Sequence, residues 1–363
     1  MRVRVGIGAL VGIVGGPATY ARELVAALVR AGGHDYVVFT DQPGAFRHLG
    51  IETVEVPLPT PYHQISWDHW RLPGLVAAAR VDLYHGTKNV LPWRLSVPAA
   101  VTVHDLAVYA QPGSFSWGQR WHLRLLLPRS VAMATRVITP SAHARDDVLA
   151  RFRVAAGRTR SIPHGVAAHW LAPPSAAASA AFRARHALGE RLIACVGTVQ
   201  PRKRAERVIE AFVRSGIARA GWELVLAGRL RPGYAPPWLQ TLPPHVRWLG
   251  ALPDDELHAL YAAAPITVSA SEYEGFGLAL SEAMAGGSAV IAVASSAVPE
   301  VVGDAGCLVA RSDPALLAEA LARLVAEPER RAALGARARA RAATFTWDEA
   351  ARRTREVYDE VRG

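Results

Sequence analysis

An alternation of short apolar, β-rich stretches with amphipathic helical stretches, run through twice, constrains this chain more than any other feature. In the first half, strands are predicted at Arg2–Leu10, Tyr36–Thr40, Ile51–Val56, Val81–His85, Ala99–His104 and Arg136–Thr139. A helix over Thr19–Arg30 carries Leu24, Ala27 and Leu28 on its apolar face. This is the rhythm of a doubly wound parallel sheet, whose crossover helices cover both faces. It resumes with strands at Leu192–Gly197, Glu223–Gly228, Val246–Leu249, Pro265–Ala270 and Ser288–Val293. Helices are expected at Arg204–Val213, at Asp254–Ala263 with Asp254 as its cap, and from about Leu278, with Leu278, Ala279, Ala283 and Met284 on one face. Pro314–Ala326, Pro328–Ala342 and Trp347–Val361 follow as helices. Ala167–Glu190, rich in Ala, Pro and Ser, reads as a linker with one helix near Ala176–His186. The expected fold is therefore α/β in two domains, 1–170 and 171–345, closed by a helix over 346–363, and 363 residues suit two cores.

Several classes fall away. No run reaches the roughly 18 apolar residues of a membrane span. The apolar stretch Val3–Val14 is broken by Gly6, Gly8 and Gly12 and lacks a small-residue cleavage site, so it reads as a first strand. Cys195 and Cys307 lie in apolar strand-like runs and give neither metal-ligand spacing nor a disulfide framework, which points to the cytoplasm. The net charge of +10 is uneven: residues 1–170 hold 18 Arg and Lys against 10 Asp and Glu, and the remainder 23 against 21. A basic first half suits nucleic acid, an anionic membrane surface or an anionic substrate. Nucleic acid is disfavoured, because no basic stripe with interleaved aromatics covers a binding face. Between Trp117 and Pro128, arginines alternate with aromatic and aliphatic residues, and two readings stand open: a helix lying on a membrane, or a helix packed in the core. Only two lysines occur, Lys88 and Lys203.

In an open parallel sheet, ligands bind beyond the carboxyl ends of strands. In the first half that marks Val14-Gly15-Gly16-Pro17, His85-Gly86-Thr87-Lys88-Asn89 and His104-Asp105-Leu106. Gly15 and Gly16 open a helix and can bring N–H groups to a phosphate, without the three-glycine spacing of a dinucleotide site. In the second half it marks Gly197-Thr198-Val199-Gln200-Pro201-Arg202-Lys203-Arg204, where three adjacent cations repel one another unless they are solvated or share an anion. It also marks the stretch from Ser271 to Gly286. There Gly275 and Gly277 flank Phe276, a helix start aims its N–H groups at the turn, and Glu274 and Glu282 offer two carboxylates with seven residues between them. An isolated glutamate is ordinarily solvated. Two around one glycine turn suit vicinal sugar hydroxyls.

These strings together resemble glycosyltransferase family 4, whose donor-binding segment carries Glu followed after seven residues by Glu. Gly197 to Arg204 is similar to the family's Gly-Thr-Leu-Glu-Pro-Arg-Lys-Asn, and Thr102 to Leu106 looks like its histidine turn. The resemblance implies the GT-B fold, two Rossmann-like domains facing a central cleft with the last helix crossing back to the first. It implies retaining transfer of a mannose- or glucose-type hexose from a nucleoside-diphosphate sugar to a hydroxyl of a glycan or lipid-linked acceptor, with no cofactor. Arg202 and Lys203 would hold the diphosphate, Glu282 the ribose, Glu274 the sugar, and His104 would face the hexose. Gly15, Gly16, Gly197, Gly250, Gly275, Phe276, Gly277 and Leu278 would line the donor. The absence of any Asp-x-Asp supports a site without metal. The chain departs from the family at Gly15-Gly16-Pro17-Ala18-Thr19-Tyr20, where relatives read Gly-Gly-Ile-Gly-Arg-Tyr, at Gln200 and Arg204, and at His164, where relatives have Asn. A sugar-nucleotide 2-epimerase of the same fold and a non-catalytic sugar-nucleotide-binding protein remain alternatives.

Overall fold

A computed structural model describes residues 2–12, 15–57, 67–172 and 174–362, so Val14 of the expected glycine turn lies outside the described residues. The chain divides into two compact units, one formed by Met1–Gly165 with Thr346–Gly363 and the other by Val166–Phe345. The division falls at Gly165 rather than after residue 170, because Val166 and Trp170 are buried with Tyr261 and Phe276 in a core of the second unit.

Among the described residues, the first unit holds a seven-stranded sheet in the order β3-β2-β1-β4-β5-β6-β7. Its strands are β1 (Arg4–Ala9), β2 (Asp35–Thr40), β3 (Glu52–Glu55), β4 (Leu83–Gly86), β5 (Ala99–Thr102), β6 (Arg136–Thr139) and β7 (Thr159–Ser161), every pair parallel. Helices cover both faces, so Val5, Ile7 and Ala9 of β1 are fully buried. The glycines that interrupt β1 make room for neighbours. A Cβ on Gly8 would fall 1.9 Å from the Tyr84 hydroxyl, and one on Gly6 3.0 Å from the Phe39 ring, so side chains of β4 and β2 occupy those places.

The helix Trp347–Arg362 completes this unit. Its buried side presents Trp347, Ala351, Thr354, Val357 and Tyr358. The Tyr358 hydroxyl lies 2.7 Å from Nδ1 of His85 on β4, and His85 Nε2 lies 2.8 Å from the Thr102 hydroxyl of β5. Glu360 accepts from Arg136 at 2.8 Å and pairs with Arg160 at 2.9 Å.

The second unit holds β8 (Leu192–Val196), β9 (Glu223–Ala227), β10 (Val246–Trp248), β11 (Ile266–Ser269), β12 (Ala289–Val293) and β13 (Cys307–Val309). Their order is β10-β9-β8-β11-β12-β13, again parallel throughout. β7 and β13 are three residues each, too short to show a period, and were absent from the predicted strands. The helix Asp254–Ala263 is capped by Pro253, not by Asp254. Asp254, Asp255 and Glu256 fill its first turn and act on the helix dipole through charge.

Candidate active site

In the second sheet, β8 and β11 are neighbours, with Ile193 opposite Ile266 and Ala194 opposite Thr267, while β9 and β10 extend to one side and β12 and β13 to the other. Strand order reverses at that pair, so the turns leaving β8 and β11 meet where a ligand-binding crevice forms in such sheets. The Glu272 N–H donates to the Arg202 carbonyl at 3.0 Å and fastens the two turns together. Arg202 Nη1 donates to the Tyr273 carbonyl at 2.6 Å and to Glu274 Oε2 at 3.3 Å. The Lys203 ammonium donates to the other carboxylate oxygen, Oε1.

Glu274 is therefore not the solvated surface residue that an isolated glutamate ordinarily is. It is 6% exposed and held between two cations, with its own N–H donating to the Ser296 hydroxyl at 2.7 Å. Burial alone would raise its pKa, but Lys203 and Arg202 outweigh burial and hold it down to about 2. Burial lowers the Lys203 ammonium below the ordinary lysine range, and Glu274 opposes that shift. An ion pair of this kind gains about 4 kcal/mol of Coulomb energy at an effective dielectric of 20. Desolvation of the charges offsets most of that gain. The cluster keeps one surplus positive charge on pre-placed donors, which fits it to receive an anion.

The third cation of the run turns away. Arg204 takes a left-handed conformation at φ +49° and pairs with Glu272 at 2.8 Å and Glu206 at 3.6 Å. A different arginine stands near Arg202, namely Arg231 from the turn after β9. Its pKa is lowered by burial and then by the Arg202 charge. Sequence reasoning passed over it, although its position just past a strand's carboxyl end was the available signal.

Glycines let the strand-end turns close on one another. Gly197 has φ +143°, and a Cβ there would meet the Lys203 side chain at 3.8 Å. A Cβ on Gly228 would fall 2.0 Å from the Gly197 carbonyl oxygen, and the Gly228 N–H donates to the Gly250 carbonyl at 2.6 Å. Gly228 thus joins the turns after β8 and β10, a role not read from the sequence. Gly277, at φ +96°, is the N-cap of the helix Leu278–Ala285, whose first amides point back over the turn. Gly275 is buried, and the Phe276 ring packs into the core of the second unit, edge-on to Phe345 at 5.5 Å.

The buried side of that helix is Leu280, Ser281, Ala283, Met284 and Ala285. Leu278 and Ala279 are half-buried instead and share an arc with Glu282, as 100° per residue requires. Of the four residues expected on one face, Ala283 and Met284 are fully buried, Leu278 packs half-buried against the same core, and Ala279 is half-buried. Glu282 lies near Tyr261, whose phenol is raised first by burial and then by the Glu282 charge. Two adjoining hollows, sharing Val196, Lys203 and Ser269, open beside the cluster, one of them reaching Glu274 and Gly277.

In the first unit, Gly15 has φ +107° and caps the helix Gly16–Ala31, with Pro17 inside its first turn. His104 follows β5. Its N–H donates to Asn89 Oδ1 at 2.8 Å, and its Nε2 lies 2.7 Å from the Thr87 carbonyl. A carbonyl only accepts, so Nε2 carries the proton and Nδ1 keeps its lone pair. Burial lowers the His104 pKa, and the Thr87 hydrogen bond only partly opposes this. The ring sits edge-on to Tyr20 at 4.9 Å and near His164 at 5.4 Å, the latter stacked at 5.8 Å on Trp347.

Two family models match the chain, "Glycosyltransferase Family 4" over residues 14–170 and "Glycosyl transferases group 1" over residues 179–341. The chain is similar to O-antigen chain mannosyltransferase B of Escherichia coli, at 28% identity over 291 residues covering 76% of this chain and 74% of that protein. It is also similar to D-inositol 3-phosphate glycosyltransferase of Salinispora arenicola, at 30% identity over 314 residues covering 78% and 70%. Anabaena Alr3699/HepE, solved in complex with UDP-glucose, matches with a TM-score of 0.79 at 16% identity over 99% of this chain and 100% of that one, a likeness of fold.

Proposed function

The chain belongs to family 4 of the glycosyltransferases, with their GT-B fold, and from that premise we propose that it is a retaining, metal-independent hexosyltransferase. It moves a mannose- or glucose-type hexose from a nucleoside-diphosphate sugar to a hydroxyl of a glycan or lipid-linked acceptor. The observation that carries the reading is the Arg202–Lys203–Glu274 cluster at the strand reversal, two half-buried cations sharing one buried carboxylate. The names of the mannosyltransferase relative and of the UDP-glucose complex support the hexose and the donor class.

The chemistry follows from the charges. As the bond between hexose C1 and the diphosphate breaks, negative charge gathers on the leaving oxygen, where Lys203 and Arg202 are already in place to stabilise it. The diphosphate displaces Glu274 as their partner, since it brings more charge and more acceptor oxygens than one carboxylate. Glu274, ionised down to about pH 2, is too weak a base to take the acceptor proton near neutrality. That proton passes to the departing diphosphate oxygen while the acceptor oxygen bonds to C1. Glu274 then accepts from sugar hydroxyls, and Glu282 from the ribose. His104, neutral and with Nδ1 as its remaining acceptor, takes a hydroxyl hydrogen of the hexose and is not a proton donor.

Incubation with a panel of nucleoside-diphosphate hexoses and hydroxyl acceptors tests this. The expected product keeps the donor's anomeric configuration by NMR and forms equally in the presence of EDTA. Epimerised sugar nucleotide from donor alone would assign the epimerase activity instead. Tight binding without turnover on any acceptor would leave a sensor.

A further inference from the structure

The helix Trp117–Met133 is apolar on two opposite sides. Its start is set by a capping box, in which Ser116 accepts from the Gln119 N–H and Gln119 from the Ser116 N–H. Leu126, Leu127, Ser130 and Val131 are buried, which accounts for one side. Trp117, Trp121 and Leu125, four residues apart along the other side, are 75%, 62% and 69% exposed. The two indoles are edge-on at 6.2 Å, so the stripe is continuous. Helices of soluble proteins present a polar outer face. From the usual size of such side chains, this stripe offers roughly 400 Å² of apolar surface, the scale that marks an interaction site.

Its surroundings carry one sign of charge. From Leu106 to Arg145 there is no Asp or Glu, while Arg120, Arg124 and Arg129 lie on this helix. The nearest acidic residues along the chain are engaged elsewhere, Asp105 accepting from the Ala107 N–H at 2.9 Å and Asp146 pairing with Arg145 at 2.8 Å. Arg124 and Arg129 flank the stripe, resting over Tyr109 at 5.8 Å and over Trp93 at 5.1 Å. Pro128 leaves the Arg124 carbonyl without its helical N–H donor, and the Tyr109 hydroxyl donates to it at 3.4 Å, which holds that corner.

We propose that this face docks the protein on the surface of an anionic lipid bilayer, with Trp117, Trp121 and Leu125 entering the interfacial layer and Arg120, Arg124 and Arg129 meeting headgroup phosphates. Tryptophan suits that layer because its body is apolar and its N–H stays wet, and arginines beside it reach outward to phosphate. A second copy of this chain fits poorly, since a two-fold contact would set the arginines of one protomer against those of the other. No helix among the described residues is long and apolar enough to cross a membrane, so the helix lies in the plane of the interface.

Co-flotation of the full chain with phosphatidylcholine vesicles, with and without phosphatidylglycerol, at low and high salt, tests the assignment. Binding is expected only with phosphatidylglycerol, and to fall at high salt. Replacing Arg120, Arg124 and Arg129 together by Gln should lower partitioning on the order of a hundredfold, about fivefold for each cation. Trp117→Ser with Trp121→Ser should lower it by roughly tenfold or more per side chain. Unchanged thermal melts would show that both variants fold. Absence of wild-type binding to the anionic vesicles at low salt overturns the proposal, as does binding that survives both variants. A dimer lost with the two tryptophans, without vesicle binding, would assign the face to a second copy. No donor is used, so failure here leaves the transferase reading untouched.

Discussion

Lys203 and Glu274, 71 residues apart in the chain, share a hydrogen-bonded ion pair across the point where the second sheet reverses its strand order. Each stands just past the carboxyl end of a neighbouring strand, β8 for one and β11 for the other.

Removing the lysine leaves Glu274 with Arg202 alone and takes away one fixed charge beside the leaving group. Lys203→Ala is expected to lower turnover roughly 100- to 1000-fold, the scale of losing one preorganised charge stabiliser. Near-normal steady-state rates would return the basic run to ordinary surface.

Neutralising the carboxylate acts in the opposite sense on the free nucleotide. Glu274→Gln releases both cations from their partner, so affinity for a nucleoside diphosphate should hold or rise while transfer falls at least tenfold. Calorimetric titration beside the transfer assay separates the two, and a parallel loss of both would show that Glu274 only supports the fold.

Glu282 occupies the half-exposed arc of its helix with Leu278 and Ala279. Glu282→Ala should weaken donor and free nucleotide alike, by about tenfold, as expected for a carboxylate that accepts hydrogen bonds from ribose. Free phosphate and hexose binding should not change. A variant that binds nucleotide normally yet transfers slowly would move Glu282 to the sugar.

Acid should loosen the first unit at a higher pH than the second. Burial, then the His104 charge, holds His85 down to about 3, against an ordinary 6.5. Between those values the unfolded chain binds a proton that the folded one refuses, so stability is full above 6.5 and declines as pH falls towards 3. Glu274, held to about 2 against 4.5, contributes stability that is present above 4.5 and is lost only below it. Hydrogen exchange should therefore show β4 and β5 losing protection before β8 and β11. Simultaneous loss beginning below pH 4.5 would contradict this ordering.

Close packing at β1 makes Gly8→Ala a sharp test of that strand. Its methyl would meet the Tyr84 hydroxyl inside contact distance, and Tyr84 is 2% exposed with little room to retreat. A loss of about 1–3 kcal/mol is expected by chemical denaturation, with substantial recovery when Tyr84→Leu is added. Tolerance of the single variant would mean that the β1–β4 spacing is looser than described.

Most of the elements could be read from alternation, because fully buried strands such as Ala289–Val293 and helices such as Pro314–Ala326 carry their period within their own residues. Both turns of the cluster, with Arg202, Lys203, Glu274 and Gly277, were marked in the same way. Partnership was less legible. Strand order is a property of topology, so nothing local tells Glu274 that Lys203 will be its neighbour, or places Arg231 beside Arg202. Orientation within a short helix also escaped, since eight residues span barely two turns and Leu278 and Leu280 are equally apolar.

The C-terminal helix sets a further consequence. Tyr358 meets His85 across 273 residues, and Arg353 donates to the Ser161 carbonyl across 192. On the ribosome, the segment up to Gly165 emerges before the second unit, yet the first unit lacks one of its walls until the helix Trp347–Arg362 emerges. The second unit, Val166–Phe345, is contiguous and has all of its residues earlier. Of the two units, the one whose strands emerge earlier is therefore completed later, and it waits with its central strands partly uncovered. A nascent chain stopped short of Trp347 would expose that face to chaperones while the second unit was already closed.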